Sequence, residues 1–157
     1  MLIKLPEGVT IAGLSEKKLK RIWKELQSSP KVFVDKAVYK DFYSHWMSPK
    51  TIVLEIGHEK GFILFDCLRL GVTGRVHAYF FDRKLHDKID LLKDVFLWMF
   101  FQFQLERIEC LVPEHSHAVR RFMKTLGFTY EGRLRRYLKY KGESVDGLMF
   151  SILKEEI

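Results

Sequence analysis

The sequence predicts an α/β protein built on one mixed, mostly antiparallel sheet flanked by helices. Three observations predict it. Two helical patterns open the chain. Strand patterns separated by turns then run from Thr51 to Phe81. A strand, a helix and a closing hairpin fill Glu109 to Leu153, behind an apolar helix that joins the two halves.

Each element has a local reason. Ser15 is a good N-cap for a first helix, and Leu19, Ile22, Trp23 and Leu26 fall on one face of it. Ser28-Ser29-Pro30 ends that helix. A second helix is expected from about Asp35 to Trp46, with Val38, Phe42 and either Tyr39 or Trp46 on a shared face. Thr51 to Gly57 and Phe62 to Leu68 read as strands around the turn Gly57-His58-Glu59-Lys60-Gly61, and Arg75 to Phe81 reads as a third. Consecutive strands joined by short turns form an antiparallel meander. Asp87 to about Gln104 is an apolar helix striped by Ile89, Leu92, Phe96, Met99 and Phe103, and Val95, Trp98 and Phe101 widen the stripe. Such a helix is buried on most sides, against the sheet, a pocket or a homodimer seam. Arg107 to Val112 is a strand stopped by Pro113, and His115 to Leu126 is a helix. Phe128 to Tyr140 and Val145 to Leu153 close the chain as a hairpin around Lys141-Gly142-Glu143.

A chain of 157 residues with no repeat or Pro/Gly/Ser-rich linker is expected to form a single domain, residues 1–157. The N-terminus has no continuous apolar stretch, and the longest apolar run is far short of the roughly 20 residues of a membrane span. Cys67 and Cys110 fall in strand patterns with no paired spacing, which reads as two buried, reduced thiols in a cytoplasmic protein. The net charge of +7 fits either a polyanionic partner or a solvated basic surface. No metal-ligand spacing, phosphate-binding glycine loop or nucleophile elbow is present.

The stretch Ser116-His117-Ala118-Val119, then Arg120 to Thr125, then Leu126-Gly127-Phe128 and Glu131-Gly132-Arg133 resembles the GNAT superfamily of acyl-CoA N-acyltransferases. It is similar to short GNAT-like proteins encoded by phages. The resemblance runs from Ser15 onward. It implies a GNAT-like fold, acetyl-CoA as the acyl donor, and an amine of a protein or small molecule as the acceptor. It also implies that the coenzyme's pyrophosphate docks where the third strand meets the apolar helix. There backbone N–H groups and the helix dipole bind an anion. Family members carry glycines at that place. This chain carries Arg83-Lys84-Leu85-His86-Asp87-Lys88 after Phe81, so Phe81, Arg83, Lys84, His86, Asp87 and Lys88 are the expected cofactor-binding residues. Either side-chain charge stands in for backbone there, as an altered site, or the site is lost; Asp87 doubles as an expected helix cap.

The catalytic expectation is His77, with Ser116 at the position where the family has Asn. An imidazole is the side chain best suited to act as a general base near neutral pH. Glu55, Asp66 and Glu109 are the alternative carboxylates. The family's proton-donating Tyr falls on Met123, which has no proton to give. A catalytically degenerate GNAT-fold binding protein is therefore the alternative reading. Alternation along the last hairpin places Arg133, Arg135, Lys139 and Lys141 on one side and Arg136 opposite, but no nucleic-acid-binding motif accompanies that charge.

Overall fold

The computed structural model describes residues 3–28, 38–82 and 88–157. Its elements in chain order are β1 (Val9–Ile11), α1 (Glu16–Ser28), α2 (Tyr39–Trp46), β2 (Ile52–Ile56), β3 (Gly61–Arg69), β4 (Thr73–Phe80), α3 (Ile89–Gln102), β5 (Arg107–Pro113), α4 (His117–Thr125), β6 (Thr129–Tyr140) and β7 (Glu143–Leu153). They build one seven-stranded sheet of order β1-β2-β3-β4-β5-β7-β6. Every neighbouring pair is antiparallel except β4 and β5. Those two are parallel because α3 carries the chain back across the sheet between them.

The sheet has a core on each face. Towards α3 and α4 lie Leu54, Ile63, Phe65, Val76, Ile108, Val112, Phe150 and Ile152, packed with Leu92, Phe96, Met99, Met123 and Leu126. Phe96 is wedged between the rings of Phe65 and Phe128, at centroid distances of 6.4 and 5.6 Å. Towards α1 and α2 lie Val53, Phe62, Leu64 and Tyr79, covered by Leu19, Ile22, Leu26, Phe42 and Trp46. The apolar stripe of α3 is buried as expected, although Phe101 faces outward beneath the Lys154 ammonium, 4.7 Å from its ring centre.

Ser15 caps α1 through its hydroxyl, which accepts the Lys18 N–H at 3.2 Å. Glu55 is buried on β2, where it accepts from Lys18 Nζ at 2.9 Å and from the Glu59 backbone N–H at 2.9 Å. It ties α1 to the β2–β3 turn.

Four expectations need correction. The short strand β1 was not foreseen; its three residues are too few for a period to show. Helix α2 begins at Tyr39, and residues 29–37 lie outside the described residues. Cys67 is exposed, because β3 bulges between Asp66 and Arg69 and Cys67 takes a positive φ of 48° there. Cys110 is buried as expected, and its thiol is pushed up to about 12 by desolvation. Finally, β6 does not alternate throughout. Leu134 pairs with Gly147 and Leu138 with Val145, so Arg135, Arg136 and Tyr137 together oppose Asp146. Arg136 sits at φ 51° with its N–H held by Asp146 Oδ1 at 2.8 Å. Arg133 is paired with Glu114 and Asp146.

Candidate active site at the parting of two parallel strands

The ladder between β4 and β5 is short. It pairs Thr73 with Arg107, Gly74 with Ile108 and Arg75 with Glu109. Both strands continue beyond Arg75 and Glu109, to Phe80 and Pro113, without further pairing. The two strands part there, and the inner edge of each is left with backbone donors and acceptors not used by the other strand. An extended ligand carrying amide groups can pair with such an edge.

Side chains on β4 alternate about the sheet. Val76 and Phe80 go to the α3 side, whereas Tyr79 and Phe81 pack on the α1–α2 side. Arg75 and His77 share that second side. Helices α1 and α2 cover β2, β3 and β4 there. Over β5, β7 and β6 no helix among the described residues takes their place, and the face stays polar.

His77 is therefore the first residue on the α1–α2 side of β4 beyond the last β4–β5 pair. Its cross-strand neighbour on β3 is Leu64, and Asp66 on β3 stands opposite Arg75. Asp66 meets two imidazoles. Its Oδ2 accepts from His45 Nε2 on α2 at 2.7 Å and lies 3.0 Å from His77 Nε2. The second approach is close but poorly angled, so His77 Nε2 is buried without a well-formed hydrogen bond. The rings of His45 and His77 stand edge to face, 6.0 Å apart at 83°. Burial by itself would raise the Asp66 pKa, but the hydrogen bonds and charge of the two imidazoles outweigh it and hold the carboxyl well below the usual carboxylate range.

A chain of ion pairs continues across the open face. Arg75 donates twice to Glu109 Oε1, from Nε at 3.2 Å and Nη2 at 2.9 Å. Arg107 bridges Glu109 Oε2 at 3.2 Å and Glu131 Oε1 at 2.5 Å. The Ser151 hydroxyl also donates to Glu131, and with Arg107 it holds that carboxyl below its ordinary value. From the β6 bulge, Tyr137 reaches back to Arg75. Glu109 is thus committed to two arginines, and Glu55 to Lys18 and a backbone N–H; neither carboxylate is free to take a proton from a ligand.

At the far end of the parting strands, Pro113 leads through Ser116 into α4, and β4 leads towards α3. Ser116 occupies the N-cap position of α4, but its hydroxyl makes no capping hydrogen bond. A serine at that position usually caps the helix through its hydroxyl, and here it does not. Lys88 occupies the N-cap position of α3, also without a side-chain cap. A lysine at the positive end of a helix dipole suits a bound anion, which both would attract. Phe81 packs beside Phe62 at a centroid distance of 6.1 Å, with its N–H bonded to the Lys60 carbonyl. Arg83, Lys84, His86 and Asp87 lie outside the described residues. Met123, where the sequence resemblance would put a tyrosine, is buried in the core.

No family profile matches the chain. A stretch of 58 residues is 43% identical to an uncharacterised N-acetyltransferase, p20, of Bacillus licheniformis; it covers 36% of this chain and 32% of that protein. The whole fold is shared with solved structures. The spermidine N-acetyltransferase of Vibrio cholerae in complex with coenzyme A and spermine superposes with a TM-score of 0.72 at 14% identity, over 96% of this chain and 98% of that one. A GNAT-family acetyltransferase from Bacillus anthracis gives 0.70 at 19% identity, over 99% and 100%. This chain has the GNAT acetyltransferase fold.

Within the GNAT fold, the parallel strands that part are β4 and β5, and His77 stands beside their fork. Of the residues expected from sequence, His77 is just beyond the last β4–β5 pair, Phe81 follows the end of β4, Ser116 follows β5 at the start of α4, and Lys88 opens α3. Sequence reading named Asp66 only as an alternative base and missed His45 altogether. His45 sits 21 positions before Asp66 on a short helix, and no spacing rule links a helix end to a strand in that way.

Proposed function

We propose that this protein transfers an acyl group from coenzyme A to a primary amine, with His77 as the general base. The observation that supports this best is the parting of β4 and β5 with His77 directly beyond their last pair. An acyl thioester lying along the parted edges would present its carbonyl near that ring. His77 takes a proton from the amine, the amine nitrogen attacks the thioester carbonyl, and the coenzyme leaves as its thiol. Ser116, whose hydroxyl makes no capping bond, positions an ordered water. Lys88, with Arg83, Lys84 and His86, supplies positive charge for the phosphates in place of the glycines usual at that position, and Phe81 is the expected apolar contact. Met123 cannot protonate the leaving sulfur, so water does.

Acetyl-CoA is the expected donor, in a cytoplasmic setting. We infer an acceptor that carries less charge than spermidine. Asp66, Glu109 and Glu131 on the open face all sit in ion pairs within the chain. A polycation would have to compete with histidines and arginines for them. An amine with a single positive charge, at a protein N-terminus or on a small molecule, fits better.

Calorimetric titration with acetyl-CoA and free coenzyme A tests the donor. Micromolar binding supports the reading, and Arg83→Ala and Lys88→Ala should each weaken it. His77→Ala should lower turnover of the best amine in a panel by roughly 100-fold while leaving coenzyme binding intact. Normal turnover in that variant would remove His77 from the mechanism. A second reading, a GNAT-fold protein that binds partners without catalysis, is favoured by one observation, the burial of Met123 where the family donates a proton. Absence of coenzyme binding at millimolar ligand would select it.

A further inference from the structure

We propose that Asp66 and His45 are positioning residues for His77, the three side chains acting as one unit that presents a single basic nitrogen to the acceptor. The inference rests on the acyl-transfer reading above and goes beyond it by naming what orients the base.

Three elements converge on one carboxylate oxygen. His45 comes from the last turn of α2, Asp66 from β3 and His77 from β4. Asp66 owes its place to the bulge that follows it, where Cys67 turns to positive φ. Asp66 is ionised, so it only accepts hydrogen bonds. The well-directed His45 contact at 2.7 Å puts its hydrogen on Nε2, and a carboxylate 3.0 Å from His77 Nε2 favours the hydrogen there as well. That leaves Nδ1 of His77 as the nitrogen with a lone pair. The tautomer of the base is set by Asp66, and the place of Asp66 is set by the well-directed bond from His45.

The resting geometry leaves the unit incomplete. Asp66 Oδ1 is buried without a partner among the described residues, and His77 Nε2 is close to Oδ2 but badly aimed. Both deficits shrink if the His77 ring becomes an imidazolium and turns its Nε2–H onto the carboxylate. The unit is poised for the protonated base.

The step balances as follows. An ammonium acceptor gives one proton to His77 Nδ1, and the freed electron pair forms the C–N bond at the thioester carbonyl carbon. The C–S bond breaks with its pair on sulfur. The second N–H proton reaches that sulfur through water, and His77 returns its own proton to solvent. The other charged or titratable groups around the unit are Arg75 and Tyr79 on β4, Cys67 on β3 and Glu109 on β5, with Tyr137 of β6 held on Arg75.

The test reads the rings directly. Long-range proton–nitrogen spectra of the full chain, labelled with 15N-histidine, are recorded from acid to neutral pH for the wild type, Asp66→Asn and His45→Gln. The proposal expects Nε2 to stay protonated on both rings while Nδ1 titrates. It further expects opposite displacements of the His77 curve. Loss of the carboxylate charge moves it to lower pH by about one unit. Loss of His45, which shares that carboxylate, moves it to higher pH. General damage to the fold would not produce opposite signs. A His77 curve that stays in place in both variants, or moves the same way in both, overturns the unit. Calorimetry with coenzyme A on the same samples separates the two readings. Opposite displacements with intact coenzyme binding support the proposal. Opposite displacements in a wild type that binds no coenzyme A refute the catalytic role and the acyl-transfer reading together, while the shared carboxylate stands as structure only.

Discussion

At the scale of single residues, Asp66 carries the most consequence. Its folded-state pKa is depressed, so its stabilising contribution is complete above the ordinary carboxyl value of 3.8 and fades as pH falls below it towards the folded value. Wild type and Asp66→Asn should therefore differ in stability at pH 5 to 7 and converge as the pH falls below about 4. Urea melts at several pH values measure this. A constant difference down to the acid limit would show that the two imidazoles do not hold the carboxylate charge. Met123 matters in the opposite way. It is 5% exposed and packed in the α3–α4 core, so its thioether supports the fold at the position where the sequence resemblance would put a tyrosine.

At the scale of elements, the bulge in β6 decides what the last hairpin shows to its surroundings. Asp146 opposes three residues at once, accepting the Arg136 N–H and pairing with Arg133. Asp146→Ala should cost about 1–2 kcal/mol, because it leaves that backbone N–H unmet and releases an arginine. Chemical denaturation reads the cost, and no change would mean that solvent satisfies the bulge equally well. Gly147 makes a second point about the same hairpin. A Cβ placed there would meet Leu111 Cδ1 at 2.9 Å, so Gly147→Ala should destabilise the β5–β7 contact by about 1–3 kcal/mol. Destabilisation well under that range would mean that Leu111 swings aside freely.

At the scale of the whole molecule, two cores on opposite faces hold a sheet that is split in its middle. The α3–α4 core spans the split, joining Ile63, Phe65 and Val76 on one side to Ile108, Val112 and Phe150 on the other. Phe96 of α3 belongs to that bridge. Phe96→Ala should cost about 3–5 kcal/mol in a single cooperative transition. Calorimetric melting that instead showed two separate transitions would mean that the halves of the sheet fold independently. The α1–α2 core covers one half only. That asymmetry leaves the polar face beside His77 open.

The chain's local patterns settled the element order. Hydrophobic period, the Ser15 cap and the Leu126-Gly127-Phe128 helix stop placed nearly every helix and strand within a few residues, because those signals act over one or two turns of chain. The face that His77 takes on its strand was also legible, since alternation is read along a single strand. Other features were beyond local reading. The bulges at Cys67 and at Arg135 to Tyr137 break the alternation that sequence reasoning relies on, and only strand pairing reveals them. The early end of the β4–β5 ladder and the meeting of His45, Asp66 and His77 were set by tertiary packing. A carboxylate finds its partners by distance in space, and α2, β3 and β4 come within hydrogen-bonding reach only after both faces of the sheet are covered.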